Sequence, residues 1–234
     1  SGTQVVFSRI HLRRIAEDLS SRYTVVERTA LYQSPISLTP YLNDNFMDAK
    51  ALGAAHLHGG VDLADAKATQ AAFDAIASQH GGLHGLVNIA GGFAWEKVQD
   101  GSADTWDRMY QMNARTAVVA SQAALRHLPD GGRIVNIGAN GAVKAGAGMG
   151  AYAASKSGVM RFTEALAEEL KGRGITVNAL LPSIIDTPAN RADMPDADFS
   201  AWVQPAQLAA TIVFLLSDKA SYTTMSFMDI SGGR

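Results

Sequence analysis

The sequence predicts an α/β protein built on a parallel sheet. From residue 53 onward, short apolar runs alternate with longer amphipathic ones, and turn formers separate them, as in successive βαβ units. No repeat, low-complexity tract or Ser/Gly linker divides the 234 residues, so one layered unit accounts for the chain.

In chain order, Val5-Val6-Phe7 reads as a first strand, Arg14-Ile15-Ala16-Glu17-Asp18-Leu19 as a helix, and Tyr23-Thr24-Val25-Val26-Glu27-Arg28 as a second strand. Residues 31–48 hold Pro35 and Pro40 among turn formers and read as a loop or insertion. Further strands are expected at 54–61, 83–90, 133–137, 176–181 and 226–230, and helices at 65–79, 103–128, 152–171 and 205–217. In the helix from Tyr152, Val159, Met160, Phe162, Leu166 and Leu170 recur near the helical period, so one face is buried. The alanine-rich run 114–125 is apolar on much of its circumference, fitting a helix packed on the sheet and possible partner contact. Residues 186–205 are polar and proline-containing and follow a strand, at the carboxyl edge where ligands bind open α/β sheets.

Composition narrows the function classes. A net charge of -2 gives no long-range pull toward nucleic acid or anionic membrane, which leaves small molecules as the expected partners. The absence of cysteine excludes disulfides, thiolate catalysis and thiolate-ligated metal, and no metal site is read from the remaining residues. The longest apolar stretch, 208–216, is too short to span a bilayer, and no basic segment precedes an apolar signal core at the N-terminus. A cytoplasmic location is the default expectation.

The chemistry-bearing feature is Tyr152 with Lys156 in Tyr-Ala-Ala-Ser-Lys. Residues four apart share a helix face, so a phenol and an ammonium can aim at one ligand. A free phenol titrates near pH ~10, and a fixed cation beside it is expected to pull that value down and make it a usable proton donor. Such pairs also arise by chance on amphipathic helices, so weight comes from their neighbours.

Those neighbours resemble the short-chain dehydrogenase/reductase family, in that family's order over residues 54–234. The resemblance implies a Rossmann-like doubly wound parallel sheet, a three-layer α/β/α arrangement forming one domain over 1–234 with an irregular first 50 residues. It also implies an NAD- or NADP-dependent oxidoreductase moving hydride between nicotinamide and a small carbonyl, alcohol or conjugated-ring substrate. Asn88-Ile89-Ala90-Gly91 looks like the family's Asn-Ala-Gly turn, which brings Asn88, Ala90 and Gly91 to the cofactor. Asn113, in Gln-Met-Asn-Ala-Arg, resembles the asparagine that holds a relay water; the competing reading is a polar residue that kinks or caps a helix. Leu181-Pro182-Ser183-Ile184-Ile185-Asp186-Thr187-Pro188 is similar to the Pro-Gly-x-x-x-Thr segment, implying that Pro182, Ile185 and Thr187 position the nicotinamide carboxamide. Thr187-Pro188 is also a plain turn signal. Asp62-Leu63 resembles the adenine-contacting pair and could equally cap a helix. Relatives commonly pair the helices matching 103–128 and 152–171, which implies a homodimer or homotetramer. Trp95 and the loop bearing Met194, Phe199 and Trp202 are candidate substrate walls.

Two departures stand out. Thirteen residues before Tyr152, where the family carries a serine that binds the substrate oxygen, stands Ala139. Loss of one such donor costs about 10²–10³ in rate in comparable sites, and Asn140 or a water could replace it. Dihydropteridine reductases resemble the chain here, with alanine followed by a Gly-Met stretch comparable with Gly148-Met149. The second departure is that Ser8-Arg9-Ile10-His11-Leu12-Arg13 stands where a glycine-rich phosphate-binding turn should. Arg9, Arg13 and Arg14 could pair with phosphate as charges, against an unfavourable helix dipole. An altered site, a different phosphate-binding solution, and sequence lost between Phe7 and Arg14 remain open. The strand ending at Glu27 favours lost or remodelled sequence. Glu27 itself is where NAD-preferring relatives hold the ribose hydroxyls, while Arg28 could receive a 2′-phosphate. The rival expectation is a catalytically impaired dinucleotide-binding or scaffold protein of the same fold.

Overall fold

The computed structural model describes residues 6–14, 23–33 and 60–232, the first two ranges by their backbone alone. Strands β1 (Val6–Arg14) and β2 (Tyr23–Gln33) pair antiparallel as a two-stranded sheet of their own. The strand expected at Val5-Val6-Phe7 forms from Val6 and runs on through the expected turn to Arg14, the first residue of the expected helix. Arg14 lies inside β1, and Arg9, Ile10, His11, Leu12 and Arg13 alternate polar with apolar at the period of a strand. Without a glycine to turn the chain, that alternation continues as extended backbone. Residues 15–19, 34–48 and 54–59 fall outside the described residues. The strand expected at 23–28 runs on to Gln33, through the start of the presumed loop, because Thr29, Ala30, Leu31 and Tyr32 supply further strand-compatible side chains.

The second sheet is parallel and follows the expectation closely. Its order is β3 (Gly85–Asn88), β4 (Arg133–Ile137), β5 (Thr176–Pro182) and β6 (Phe227–Ile230). Neighbouring residues of one strand feed opposite cores. Leu86, Ile134 and Val177 join Phe73, Ala120 and Leu166 on one side, while Val87, Val135 and Leu180 join Leu208 and Leu215 on the other. Helices α1 (Ala66–His80), α3 (Thr116–Leu125) and α4 (Gly150–Leu170) cover the first face, and α6 (Pro205–Leu216) covers the second. A parallel sheet covered on both faces reads as continuous apolar strands, which is why all seven residues of β5 are buried.

Helix ends follow local chemistry. Asp65 caps α1 by accepting from the backbone N–H groups of Lys67 and Ala68 at 2.8 and 3.0 Å, and Gly81 closes it in the left-handed region. The helix expected over 103–128 is broken. It forms α2 (Ala103–Tyr110), a π-helical turn at Gln111–Arg115 and then α3. The widened turn contains Asn113, whose side chain is engaged outside its own helix. The presumed loop after β5 also holds a short helix, α5 (Pro188–Asp193), started by proline at its first position.

Candidate active site

The carboxyl ends of β3, β4 and β5, with the head of α4, gather the chemistry-bearing residues. Lys156 is 5% exposed, and its Nζ donates to the main-chain oxygen of Ile137 at 2.8 Å, where β4 ends. Gly91 stands against it: a Cβ at this position would meet Lys156 Nζ at 3.1 Å and collide with Asn113 Oδ1. Only a residue without a side chain lets the turn after β3 approach this closely.

Asn113 is buried and bonded to both Gly92 and Ser155. Its Oδ1 accepts from the Gly92 N–H at 2.9 Å, while its Nδ2 donates to the Gly92 oxygen at 3.1 Å and to Ser155 Oγ at 2.9 Å. Ser155 Oγ in turn donates to the Tyr152 main-chain oxygen at 2.7 Å. The amide therefore locks the turn after β3 to α4. Ser155 was missed by sequence reasoning: it lies at i+3 from Tyr152 on α4, but its bond to Asn113 spans 42 residues.

The expected lowering of the Tyr152 phenol by Lys156 is not found. Burial pushes the phenol up to about 12 and the ammonium down to about 8. The lysine chain reaches the Ile137 carbonyl instead, and low-dielectric surroundings disfavour the charged form of each group. At neutral pH this gives a protonated phenol, the form that donates a proton. Phe93 packs edge-on against the Tyr152 ring, with centroids 5.0 Å apart. Trp95, 58% exposed, lies over Gly148, whose φ of +77° and lack of a side chain leave the space the indole fills. Phe93 is a further wall that sequence reasoning did not single out.

The Asn88 side chain is engaged within the core. Its Nδ2 donates to Asn136 Oδ1 at 2.8 Å and Ser121 Oγ at 3.0 Å, and Asn136 Nδ2 donates to Thr163 Oγ1 at 2.9 Å. This buried chain ties β3 to β4, α3 and α4 and directs the Asn88 amide inward, away from the open turn at Ala90 and Gly91. Asn136 lay within the expected β4 strand and gave no signal beyond being polar in an apolar run.

Ala139 is 5% exposed, in extended backbone just past β4. Asn140 Nδ2 donates to Asp229 Oδ2 at 3.1 Å, which uses one of its two amide hydrogens. Pro182 closes β5 opposite Ile230. The Ile185 oxygen accepts from Asn190 Nδ2 at 2.7 Å, and Thr187 Oγ1 accepts from the Asn190 N–H at 3.1 Å as the cap of α5. The turn reading of Thr187 is thus realised, and its hydroxyl proton remains a donor. Next to it, Asp186 accepts from Arg191 Nε and Nη2 at 2.5 and 2.8 Å and from Gln204 Nε2 at 2.9 Å. The Arg191 guanidinium, then Gln204, holds this carboxyl at about 2. Arg191 also covers the Phe199 ring at 4.5 Å, and Phe199 leans on buried Trp202 at 4.7 Å.

Asp62, Leu63, Ala90 and Gly91 share a cleft of about 320 Å³ with Arg108 and Met112. Glu27 is placed elsewhere. It sits within an antiparallel strand opposite His11, not at the carboxyl end of a parallel one, because β1 and β2 form a ribbon separate from the parallel sheet. Among the described residues no group of three or more acidic or histidine side chains is arranged to hold a metal, and no helix is long and apolar enough to cross a membrane.

Residues 44–234 match the family model described as Enoyl-(Acyl carrier protein) reductase. The chain is 31% identical over 190 residues to 2-(S)-hydroxypropyl-CoM dehydrogenase 3 of Xanthobacter autotrophicus, covering 74% of each sequence. It is 36% identical over 165 residues to the cyclic-di-GMP-binding biofilm dispersal mediator protein of Escherichia coli, covering 67% of this chain and 70% of that one. A short-chain dehydrogenase from Burkholderia cenocepacia, solved in complex with NADP, superposes with a TM-score of 0.71 at 38% identity over 78% of each chain. The chain belongs to the short-chain dehydrogenase/reductase family. A second model, Ethanolamine utilisation protein EutA, matches residues 1–70, so residues 1–43 fall to that model alone.

Proposed function

We propose that this chain is a nicotinamide-dependent oxidoreductase acting on a small carbonyl, alcohol or conjugated-ring compound, with Tyr152 as the proton donor. The observation that carries it is the convergence of a protonated phenol at Tyr152, a buried ammonium at Lys156 and the locked Asn113 beside a glycine turn. The residues fit the nicotinamide and its ribose. Among the described residues Lys156 has no carboxylate partner, so its ammonium can bind ribose hydroxyls while keeping its bond to Ile137. The Thr187 hydroxyl, already accepting from Asn190, donates toward a carboxamide oxygen. A bound nicotinamide supplies the hydride; the chain supplies orientation and the proton.

Tyr152 gives its phenolic proton to the substrate oxygen or ring nitrogen as that atom gains charge. Phe93 packs edge-on against the phenol ring, and Trp95, which lies over Gly148, is the second substrate wall of this reading. With Ala139 in place of a hydroxyl, less polarisation of the substrate oxygen comes from the protein, which favours acceptors that are already activated, a conjugated ring included. NAD and NADP are both cofactors for this reading, and a homo-oligomer assembled through α2, α3 and α4 accompanies it.

Binding of NADH or NADPH, followed by protein fluorescence or calorimetry, tests the reading, and a carbonyl and pterin substrate panel with Tyr152→Phe tests the proton donor. Turnover undiminished in that variant removes Tyr152 from the mechanism. The relative named for cyclic-di-GMP binding gives the second reading its support: a fold that holds a nucleotide without turning over, favoured by Ala139. Nucleotide binding with no turnover across the panel would establish it.

A further inference from the structure

We propose that this chain recognises the nicotinamide mononucleotide unit, and that the adenylate half of a dinucleotide adds little to its binding. The inference rests on the reading of Lys156 and Thr187 as a nicotinamide–ribose site. It concerns what lies beyond that ribose.

A pyrophosphate is ordinarily held by backbone N–H groups converging at a helix N-terminus, after a glycine turn that lets the backbone come close. Residues 3–52 contain no glycine at all. Where the turn is due, β1 continues in extended form through Arg14, with Arg9 to Arg14 in register against Thr29 to Tyr23 of β2. N–H groups along a strand alternate in direction from one residue to the next, so they cannot converge on one anion. The acid that would hold the adenosine ribose, Glu27, is at mid-strand in the same ribbon. The match to the family model begins at residue 44, past this ribbon.

The adenine end is also weakly equipped. Asp62 is exposed, and its Oδ1 already accepts from the Ala64 N–H at 2.9 Å. A hydrogen bond made in open water to an already engaged carboxylate contributes little net free energy. A net charge of -2 offers no general attraction for the additional phosphates. The nicotinamide end, in contrast, has a buried ammonium against a close glycine turn, and the Thr187 hydroxyl past β5 is the carboxamide donor of that reading.

The test is calorimetric titration of the full chain with NADH, NADPH and reduced nicotinamide mononucleotide, with AMP as competitor against NADH. The expected result is dissociation constants for all three within about tenfold of one another, equivalent to about 1.4 kcal/mol, and no displacement of NADH by millimolar AMP. Lys156→Ala should weaken NADH and the mononucleotide by the same factor, while Asp62→Ala leaves both unchanged. NADH binding more than about a hundredfold tighter than the mononucleotide, or displaced by AMP, overturns the inference and leaves the nicotinamide site standing. If neither NADH nor the mononucleotide binds, the inference and the nicotinamide reading both fall.

Discussion

Lys156 donates from Nζ to the main-chain oxygen of Ile137 at 2.8 Å, which anchors a buried ammonium to the end of β4. Burial lowers this group from 10.5 to about 8, so the folded chain gives up the proton before the unfolded chain does. The unfolded state therefore binds more protons between these values, and stability rises with pH across that window. The phenol of Tyr152 acts oppositely: raised from 10.0 to about 12, it withdraws stability as pH climbs past its unfolded value. The clean window is thus pH ~8–10, where we expect the folding free energy to rise by about 1–3 kcal/mol. Urea unfolding at a series of pH values checks this, with Lys156→Met as control. A rise of equal size in that variant would show that another group is responsible.

The parallel sheet was legible because its signals are local. Runs such as Arg133-Ile134-Val135-Asn136-Ile137 are apolar, short and bounded by glycine, and the strand formed over the same five residues. The helix expected over 65–79 forms as Ala66–His80, with Asp65 and Gly81 as its caps. What stayed hidden depends on contacts between distant segments. Asn113 breaks a helix because Gly92 and Ser155, 21 and 42 residues away, take its side chain. The Tyr152/Lys156 spacing correctly placed both groups on α4, but it could not show that the lysine would bind the Ile137 carbonyl or that burial would outweigh charge at the phenol. The ribbon of β1 and β2 was misread for another reason. A strand was expected at each place, but the family pattern supplied a parallel order that the polar–apolar alternation alone does not specify.

Asn88 is expected to matter for stability more than for cofactor. Replacing it with alanine leaves Asn136 Oδ1 and Ser121 Oγ without their donor in a buried site, and such groups cost about 1–3 kcal/mol each when unsatisfied. Asn88→Ala should lower the urea midpoint while the folded fraction binds NADH as the parent chain does. A large affinity loss at unchanged stability would return Asn88 to the cofactor site.

Asp186 and Arg191 fasten the segment that follows β5. The carboxyl is only 9% exposed and accepts two bonds from the guanidinium and one from Gln204, so Arg191 lies flat over Phe199. Asp186→Asn removes the charge and frees the arginine side chain. Trypsin should then cut after Arg191 faster than in the parent chain at neutral pH, with cleavage elsewhere unaltered; equal rates would show that packing on Trp202 suffices. Because the carboxyl is held at about 2 against an ordinary 3.8, the parent chain keeps this fastening above about pH 4 and loses it as pH falls toward about 2.

Ala139 offers a gain-of-function test. It sits just past β4 in extended backbone, 5% exposed, at the position from which the family presents a hydroxyl to the substrate oxygen. Asn113 does not supply that donor, since both its amide hydrogens go to the Gly92 oxygen and Ser155 Oγ. Serine adds one oxygen to alanine, and extended backbone accepts it without strain. Ala139→Ser should therefore raise kcat for unactivated ketones by about 10–10², since one such donor is worth that or more where it meets developing charge. The effect belongs to the transition state, so NADH affinity should not move, and an acceptor that is already activated should gain much less. Steady-state kinetics on a simple ketone and a quinonoid pterin, each with parent and variant, separates the cases. Equal gains on both would mean that the serine acts on the positioning of Tyr152, and no gain on either would mean that polarisation of the substrate oxygen does not limit this site.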